Sequence, residues 1–368
     1  MKAPKIRFKG FEGAWEADFL GNNATITTWK LDANAAKADW EYAFFTCWKE
    51  TLKTDSYIFD WNAILISWNW DVWYTRRYSW KFNAYQRTYV LQNFLTNFSY
   101  TEYAIHNWLP KRIQCESFWW AMPYIKLNTL SKLQISLPSL PEQEKIWSLF
   151  EQLDSHISKN RQKLEKLKNM KHSFLQKLFP KDWSALPELR FKGFEGAWEE
   201  RKIDDICNRF DNLRIPISAK NRIPGSIPYY WANGIQDYVD WYTHNWEFLL
   251  IAEDWANDLK NYPIQYVKWK IWVNNHAHVL QWKQELSNNI FLKYAIKHTN
   301  IEALLVWWWR AKLNASVLMW IDISLPSLPE QEKIWAFFEK LDTQITQQTQ
   351  KIEKLKNIKQ SLLEKMFI

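Results

Sequence analysis

The sequence predicts an α+β fold in which two copies of one mixed domain are each followed by a long helix. Three observations predict it: an internal duplication, two tails with heptad spacing, and short strand patterns mixed with helical ones. We expect the two helices to separate the domains as an antiparallel two-helix coiled coil. The predicted segments are a first domain at 1–134, a first helix at 135–180, a second domain at 181–322 and a second helix at 323–368.

The duplication is visible as identical sequence segments that occur twice. RFKGFEGAWE at 7–16 recurs at 190–199, and ISLPSLPEQEKIW at 135–147 recurs at 323–335. The blocks between these words differ from each other. A repeat this long that occurs only twice is not a solenoid, so it indicates a duplicated pair of domains with near-identical tails.

Each tail reads as a helix with a coiled-coil seam. Pro141 and Pro329 suit a first helical turn, and the Glu-Gln-Glu that follows each one complements the helix dipole. Eight of ten a and d positions are apolar in each tail, which favours a coiled coil. The predicted central seam comprises Ile146, Phe150, Leu153, Ile157, Asn160, Leu164, Leu167, Ile334, Phe338, Leu341, Ile345, Gln348, Ile352 and Leu355.

Antiparallel pairing would close a duplicated domain-plus-helix by pseudo-two-fold symmetry. Asn160 and Gln348 would then meet near the middle and fix the register. Parallel pairing and two separate bundles are the alternatives. At about 1.5 Å per residue, each helix would be a ruler of roughly 58 Å.

The domains mix two periodicities. AILISW, TYVLQNF, EFLLIAED and KIWVNNHAHVL read as strands, whereas YAIHNWL and NIFLKYAIKH carry helical spacing. This mixture favours α+β domains over a doubly wound sheet.

Polar clusters in both domains suit a nucleic-acid partner, as does the net charge of +8 and the pI of about 9.1. Arginine grips phosphate or reads guanine, and Asn and Gln can read adenine. Taken singly, each residue is more often an ordinary turn or strand residue, and it is the clustering on duplicated domains that favours DNA binding. The predicted DNA-binding residues are Arg76, Arg77, Lys81, Asn83, Gln86, Arg87, Asn233, Gln236, Asn274, Asn275, His276 and His278.

Catalytic and metal-binding patterns are missing from the sequence. It has no phosphate-binding G-x-x-x-x-G-K-[ST] loop and no Asp/Asn-Pro-Pro-aromatic element, and His276-x-His278 lacks convergent further ligands. Glu253 and Asp254 read as surface charges. Three cysteines without metal spacing, no signal peptide and no membrane-spanning run predict a cytoplasmic protein without a metal.

Tryptophan is abnormally frequent and glycine abnormally rare, at 27 against 7 residues. The contexts YYWANG, EDWAND and VKWK are turn-like, where glycine is expected because positive φ disfavours a bulky side chain. One hypothesis is that UGA codons for glycine are represented as tryptophan; a base-stacking platform is the rival. The contexts that suit a genuine aromatic are those of Trp15, Trp183, Trp198 and Trp272.

The repeated LPSLPEQEKI openings and LEKLK heptads resemble the DNA specificity subunit of Type I restriction–modification enzymes over essentially the whole chain. YYWANGIQDYVD and RRYSWKFNAYQRTYVLQNF are similar to stretches of that family's target recognition domains. The family usually has glycine where this chain has Trp73, Trp80 and Trp231, a departure that would crowd the backbone.

The resemblance implies a non-catalytic subunit for defence against foreign DNA. Each target recognition domain would read one half of a bipartite, asymmetric site on double-stranded DNA. The paired helices would set the spacing and dock two methyltransferase subunits, with restriction subunits as further partners. It implies no cofactor here; S-adenosylmethionine, ATP and Mg would serve the partners. Alternatives are a truncated methyltransferase–nuclease, revealed by unaided methylation, and a scaffold that binds no DNA.

Overall fold

The computed structural model describes residues 3–36, 41–47, 50–68, 75–116, 125–181, 184–283, 285–307 and 311–367. The chain divides into two compact units. The first unit combines Met1–Arg161 with Gln350–Ile368, and the second is Gln162–Thr349. Each unit therefore contains parts of both predicted long helices.

Among the helices of the described residues, α4 and α8 are by far the longest. They are α1 (Leu20–Asn23), α2 (Phe98–Glu116), α3 (Leu127–Ser131), α4 (Leu140–Lys177), α5 (Ile203–Ile206), α6 (Asn289–His298), α7 (Ala315–Met319) and α8 (Leu328–Met366). Short 3-10 helices lie at Ala33–Ala35, Asp211–Leu213, Ala219–Asn221 and Ile301–Leu304.

The strands of the first unit are β1 (Glu16–Phe19), β2 (Thr25–Thr27), β3 (Tyr42–Phe45), β4 (Thr51–Thr54), β5 (Ala63–Ser67), β6 (Thr75–Tyr78), β7 (Phe82–Ala84), β8 (Thr88–Gln92) and β9 (Gln134–Leu137). Those of the second are β10 (Glu199–Lys202), β11 (Cys207–Arg209), β12 (Pro224–Trp231), β13 (Gly234–Val239), β14 (His244–Asn245), β15 (Phe248–Ala252), β16 (Ile264–Val267), β17 (Lys270–Val273), β18 (Ala277–Trp282), β19 (Val306–Trp307), β20 (Ala311–Lys312) and β21 (Asp322–Leu325).

Both units have the same topology, although their sequences differ. A four-stranded antiparallel sheet has the order β2-β8-β5-β6 in the first unit and β11-β18-β15-β16 in the second. A second, mixed sheet contains one parallel pair in each unit; it has three strands, β4-β3-β7, in the first unit and four, β13-β12-β17-β14, in the second. The strand before each long helix pairs with a strand after the RFKGFEGAW word, β9 with β1 and β21 with β10. The α+β prediction is confirmed.

Local sequence explains why these elements form. β5 reads AILIS with all five residues buried, as expected for an apolar run in the interior of a sheet. The side chain of Asn288 caps α6 by accepting hydrogen bonds from the backbone N–H groups of Ile290 and Phe291. Lys297 and His298 lie in the last turn of α6, where positive charge complements the helix dipole.

The two long helices pair antiparallel within each unit, as predicted. In the first unit, Phe150 near the start of α4 lies in one core cluster with Met366 at the end of α8. In the second unit, Phe174 near the end of α4 packs edge-to-face against Phe337 near the start of α8, with ring centroids 4.9 Å apart. Among the fourteen predicted seam residues none is exposed. The meeting of Asn160 with Gln348 stays a prediction.

The long helices begin later than the predicted segments. Residues 134–137 form β9, and α4 starts at Leu140; β21 likewise precedes α8, which starts at Leu328. The physical reason is strand pairing, because β9 and β21 each satisfy their backbone groups on a partner strand before the helix begins. Glu142 and Glu330 nevertheless lie in the first turns, as predicted.

Candidate nucleic-acid interface

One turn in each unit carries predicted polar residues at the same place in the fold. We name these the polar turns, residues 85–87 and 274–276. Each turn connects the parallel-paired strand of the mixed sheet, β7 or β17, to a strand of the antiparallel sheet, β8 or β18. The turns are equivalent because Thr88 pairs with Ser67 and Ala277 pairs with Ala252, the last residues of β5 and β15.

The first polar turn is fixed by its backbone. The N–H of Tyr85 donates to the carbonyl of Phe45 at 2.8 Å, and the N–H of Gln86 donates to Leu31 at 3.1 Å. The side chains of Gln86 and Arg87 are exposed. A fixed backbone with free side chains suits base or phosphate recognition.

The second polar turn is held in the same way and also by side chains. The N–H of Asn274 donates to the carbonyl of Tyr230 at 3.2 Å, and Asn275 is exposed. His276 is half-buried; its Nδ1 lies 2.6 Å from Oδ1 of Asp254, and its ring centroid lies 4.9 Å from that of Trp231. The turn therefore presents one free amide and one oriented imidazole.

A third predicted residue joins the second turn. Asn233, in the hairpin between β12 and β13, donates to the carbonyl of Trp255 at 2.8 Å and accepts from the N–H of Asn257 at 3.0 Å. It thus anchors the loop that contains Asp254. Gln236, farther along β13, is exposed and accepts from Arg222 at 3.3 Å.

Three predicted DNA-binding residues are buried in the structure. Asn83 is 1% exposed and its Oδ1 accepts from the N–H of Ala84. Asn274 is 5% exposed and accepts from the N–H of His276. His278 is 1% exposed. Their polar atoms bond to groups inside their own unit, so we leave these three residues out of the candidate interface.

His278 belongs to a buried polar network. Its Nδ1 lies 2.7 Å from Oδ2 of Asp211, and its Nε2 lies 2.9 Å from the carbonyl of Leu313. Burial opposes ionisation of Asp211, but the contact with His278 and nearby Arg214 outweigh it, so the pKa of this carboxyl is lowered. Arg214 also bonds Glu253 at 2.8 Å.

The expectation that Glu253 and Asp254 are surface charges is therefore wrong. The side chain of Glu253 is 14% exposed and pairs with Arg214 and Lys312, at 2.8 and 2.9 Å. Asp254 is 3% exposed and orients His276. Buried charges are retained only with partners, which is the case for both.

The basic residues of β6 and of the turn that follows it differ in how exposed and how paired they are. Arg77 is committed internally, since its guanidinium bonds Glu102 at 2.7 Å and Glu151 at 2.5 Å. Arg76 is half-buried with its guanidinium 5.6 Å from the centre of the Phe45 ring. Lys81 lies over Tyr57 at 4.4 Å and is half-buried. Arg77 thus joins β6 to helices α2 and α4, a role that its strand-like context gave no reason to expect.

The sequence model of the Type I restriction modification DNA specificity domain matches this chain twice, at residues 25–169 and 195–357. The chain belongs to this family. As a Type I specificity subunit, it acts in sequence-specific DNA recognition and is non-catalytic.

Curated relatives agree with this assignment. A type I restriction enzyme specificity subunit of Haemophilus influenzae is 43% identical over 147 residues, which cover 40% of this chain and 37% of that protein. The Type I restriction enzyme EcoDI specificity subunit of Escherichia coli is 25% identical over 406 residues, covering 96% of this chain and 88% of that one.

Two solved structures share the fold. The S subunit of a Type I restriction–modification system from M. genitalium has a TM-score of 0.71 at 17% identity and covers 100% of this chain and 99% of its own. A chain from a study of complex assembly and conformational transition in the type I system has a TM-score of 0.57 at 13% identity, covering 98% and 99%.

The repeated RFKGFEG segment forms an arginine–glutamate ion pair with the start of each long helix, which the sequence analysis did not predict. The guanidinium of Arg7 donates to both carboxylate oxygens of Glu142, at 2.7 and 2.8 Å, and to the carbonyl of Gly13. Arg190 and Glu330 repeat the pair at 2.8 and 2.7 Å. Such bidentate pairs are strong and directional. The signal was present: both partners recur in both copies of the specificity subunit's sequence.

A second missed feature is a three-residue clamp in each unit. The hydroxyl of Tyr103 on α2 donates to Asp154 on α4 at 2.8 Å, and Lys359 on α8 pairs with the same carboxylate at 2.6 Å. Lys171 and Lys359 are the d positions of the two heptad patterns that are not apolar, and a carboxylate neutralises the lysine in each clamp.

The second clamp has the same chemistry. The hydroxyl of Tyr294 on α6 donates to Asp342 on α8 at 2.7 Å, and Lys171 on α4 pairs with the same carboxylate. Each clamp joins one shorter helix, α2 or α6, to both long helices of its unit.

Within the described ranges, no group of three His, Cys, Asp or Glu residues could hold a metal ion. No helix of that part of the chain is long and apolar enough to cross a bilayer. Trp73 and Trp183 lie outside the described residues.

Proposed function

We propose that each unit of this specificity subunit reads one half of a bipartite, asymmetric site on double-stranded DNA. The polar turns at 85–87 and 274–276 are the segments of the two units that would contact the bases. The observation that carries this proposal is their equivalence: two sequences that differ place exposed polar side chains at the same junction of the same two sheets. Different side chains on one framework would give two different half-sites.

The side chains at the turns differ in what they can read. Arg87 can contact guanine or a phosphate, and Gln86 and Asn275 can each form a bidentate pair with adenine. His276 is oriented by Asp254, so it would reach DNA with one ring nitrogen. Arg76, Lys81, Asn233 and Gln236 remain proposed supporting contacts, whereas Arg77 is committed to its ion pairs.

The long helices would set the interval between the half-sites and dock two methyltransferase subunits. Helices of 38 and 39 residues are roughly 57 Å long at about 1.5 Å per residue. In the proposed complex, S-adenosylmethionine, ATP and Mg act in the methyltransferase and restriction subunits, and this chain holds no cofactor.

The experiment begins by sequencing the methylated adenines of the source cell, which gives both half-sites and their gap. Binding of the complex with its methyltransferase subunits is then measured on duplexes with one half-site altered at a time. We expect Arg87→Ala to reduce discrimination against a wrong base at one half-site, and Asn275→Ala to reduce it at the other. Each loss should be about 1–3 kcal/mol of binding free energy.

Lys132→Ala is the matched control, because it removes an exposed positive charge elsewhere in the first unit. It should reduce affinity for all sequences equally, if at all. If Arg87→Ala and Asn275→Ala affected the same half, or neither, the assignment of one half-site to each unit would be wrong.

A further inference from the structure

Three tryptophans hold a backbone conformation that favours glycine. Within the described part of the chain, only four residues other than glycine have positive φ: Trp61 at 67°, Trp255 at 56°, Trp269 at 69° and Asn93 at 53°. Asparagine commonly enters this left-handed region, because its short side chain can bond locally. A bulky side chain there is an outlier. Three outliers of one residue type require a common cause.

The same three side chains contribute little to the cores. Trp61 and Trp269 are each 78% exposed and Trp255 is 48% exposed. A tryptophan that stays in water gains little from burial, so nothing offsets the backbone strain of about 1–3 kcal/mol. On sequence grounds alone, Trp255 and Trp269 already stood in turn contexts typical of glycine.

Other tryptophans of the chain behave as genuine aromatics. Trp15 and Trp198 occupy equivalent positions of the repeated word and are 3% and 5% exposed. Trp15 packs edge-to-face on Tyr100. The indole N–H of Trp272 donates to the carbonyl of Ile215 at 2.7 Å. None of these three has positive φ. The chain thus contains two populations of tryptophan.

We infer that positions 61, 255 and 269 are glycine in the protein made by its own cells, encoded by UGA and decoded by a glycine tRNA that pairs with it. The genuine aromatics Trp15, Trp198 and Trp272 are encoded by UGG. The same reading, extended to other tryptophans in turn contexts, would account for the shortage of glycine, 7 residues, and the excess of tryptophan, 27 residues.

A stacking platform explains less. Exposed indoles can stack on bases, but stacking requires neither positive φ nor the loss of glycine from the rest of the chain. The inference also bears on the proposed interface. The loop that Asn233 anchors contains Trp255, and glycine there would remove a half-exposed indole from beside the second polar turn.

The deciding measurement is peptide mass spectrometry of the specificity subunit isolated from its source cells. Peptides that contain positions 61, 255 and 269 should have the mass of glycine at each, while those that contain positions 15 and 198 should have the mass of tryptophan. Tryptophan at any of the first three positions, or UGG in the gene there, overturns the inference. This measurement involves no DNA, so it is independent of the proposed function.

Stability supplies a second readout. In the recombinant chain with the printed sequence, the triple variant Trp61→Gly, Trp255→Gly, Trp269→Gly should raise the thermal midpoint, since glycine relieves strained φ values. Trp15→Gly and Trp198→Gly are matched controls and should each lower it, because both indoles are buried. A triple variant with an unchanged or lowered midpoint contradicts the inference.

Discussion

The two units build the same clamp with the helices exchanged. In the first unit the carboxylate, Asp154, lies on α4 and the lysine, Lys359, lies on α8. In the second unit Asp342 lies on α8 and Lys171 lies on α4. Each unit therefore completes its clamp with a lysine from the other copy of the repeat. The duplication in the sequence is thus a duplication of parts, and neither copy by itself supplies a whole unit.

The units differ in how they satisfy one equivalent strand position. Tyr89 on β8 donates its hydroxyl to the carbonyl of Ile125, whereas His278 on β18 bonds the carbonyl of Leu313. Burial raises the pKa of Tyr89 to about 12, so it stays neutral. His278 also contacts Asp211 through its other ring nitrogen. The equivalent backbone carbonyl is therefore met by a phenol hydroxyl in one unit and by an imidazole held by a carboxylate in the other.

The largest expected effect tests whether the phenylalanines beside the two clamps contribute equally to stability. Phe150 and Phe338 are both 0% exposed and contact the clamp tyrosines, with centroid distances of 5.0 Å to Tyr103 and 4.7 Å to Tyr294. We expect Phe150→Ala and Phe338→Ala each to lower the free energy of unfolding by about 3–5 kcal/mol. Hydrogen exchange should localise each loss to one unit; equal loss of protection in both units would contradict this expectation.

The next effect concerns acid sensitivity. Burial, with a smaller contribution from Lys359, lowers the pKa of His106 from 6.5 to about 4. The folded chain therefore keeps His106 neutral while the unfolded chain becomes protonated. The stability from this group is present above pH 6.5 and is lost as pH falls towards 4, by about 3 kcal/mol.

Urea denaturation at several pH values checks this expectation. His106→Gln should flatten the decline between pH 6.5 and 4. His244 in the second unit is the comparison, since burial lowers its pKa as well. His244→Gln should leave the contribution of His106 in place, and a pH profile unaffected by His106→Gln would refute its assignment as the buried neutral histidine.

The smallest effect distinguishes the two clamps. Asp342 is 30% exposed and has Lys293 within 3.8 Å as an additional partner, whereas Asp154 is 42% exposed. We expect Asp342→Asn to cost about 1–2 kcal/mol and Asp154→Asn about 1 kcal/mol or less, because exposed ion pairs are weak. Chemical denaturation of the two variants compares them, and a larger cost for Asp154→Asn would reverse this ranking.

The regular elements of the specificity subunit were predictable because their signals are local. The segments predicted as strands form β5, β8, β15, β17 and β18, and the segments predicted as helical form parts of α2 and α6. The seam was predictable for the same reason, since heptad spacing is a property of one helix. The lysines in the seam were visible too, but their carboxylate partners lie 205 residues away for Lys359 and 171 for Lys171.

Which of the predicted DNA-binding residues reach solvent could not be predicted from the sequence. Gln86, Arg87 and Asn275 are exposed, but Asn83, Asn274 and His278 in the same stretches are buried. Composition alone cannot separate these two sets, because alternate residues of a strand face opposite sides and distant elements decide which side is covered. Arg77 shows the same limit, since Glu102 and Glu151 come from two other elements.

The sequence by itself determined the duplication, the two long helices and the shortage of glycine, since repeats, heptads and composition need no partner to be visible. Only the tertiary structure decided which lysine neutralises which aspartate, which polar side chains reach solvent and which tryptophans have positive φ. Those properties depend on contacts between residues far apart in the chain and on the backbone angles of each turn.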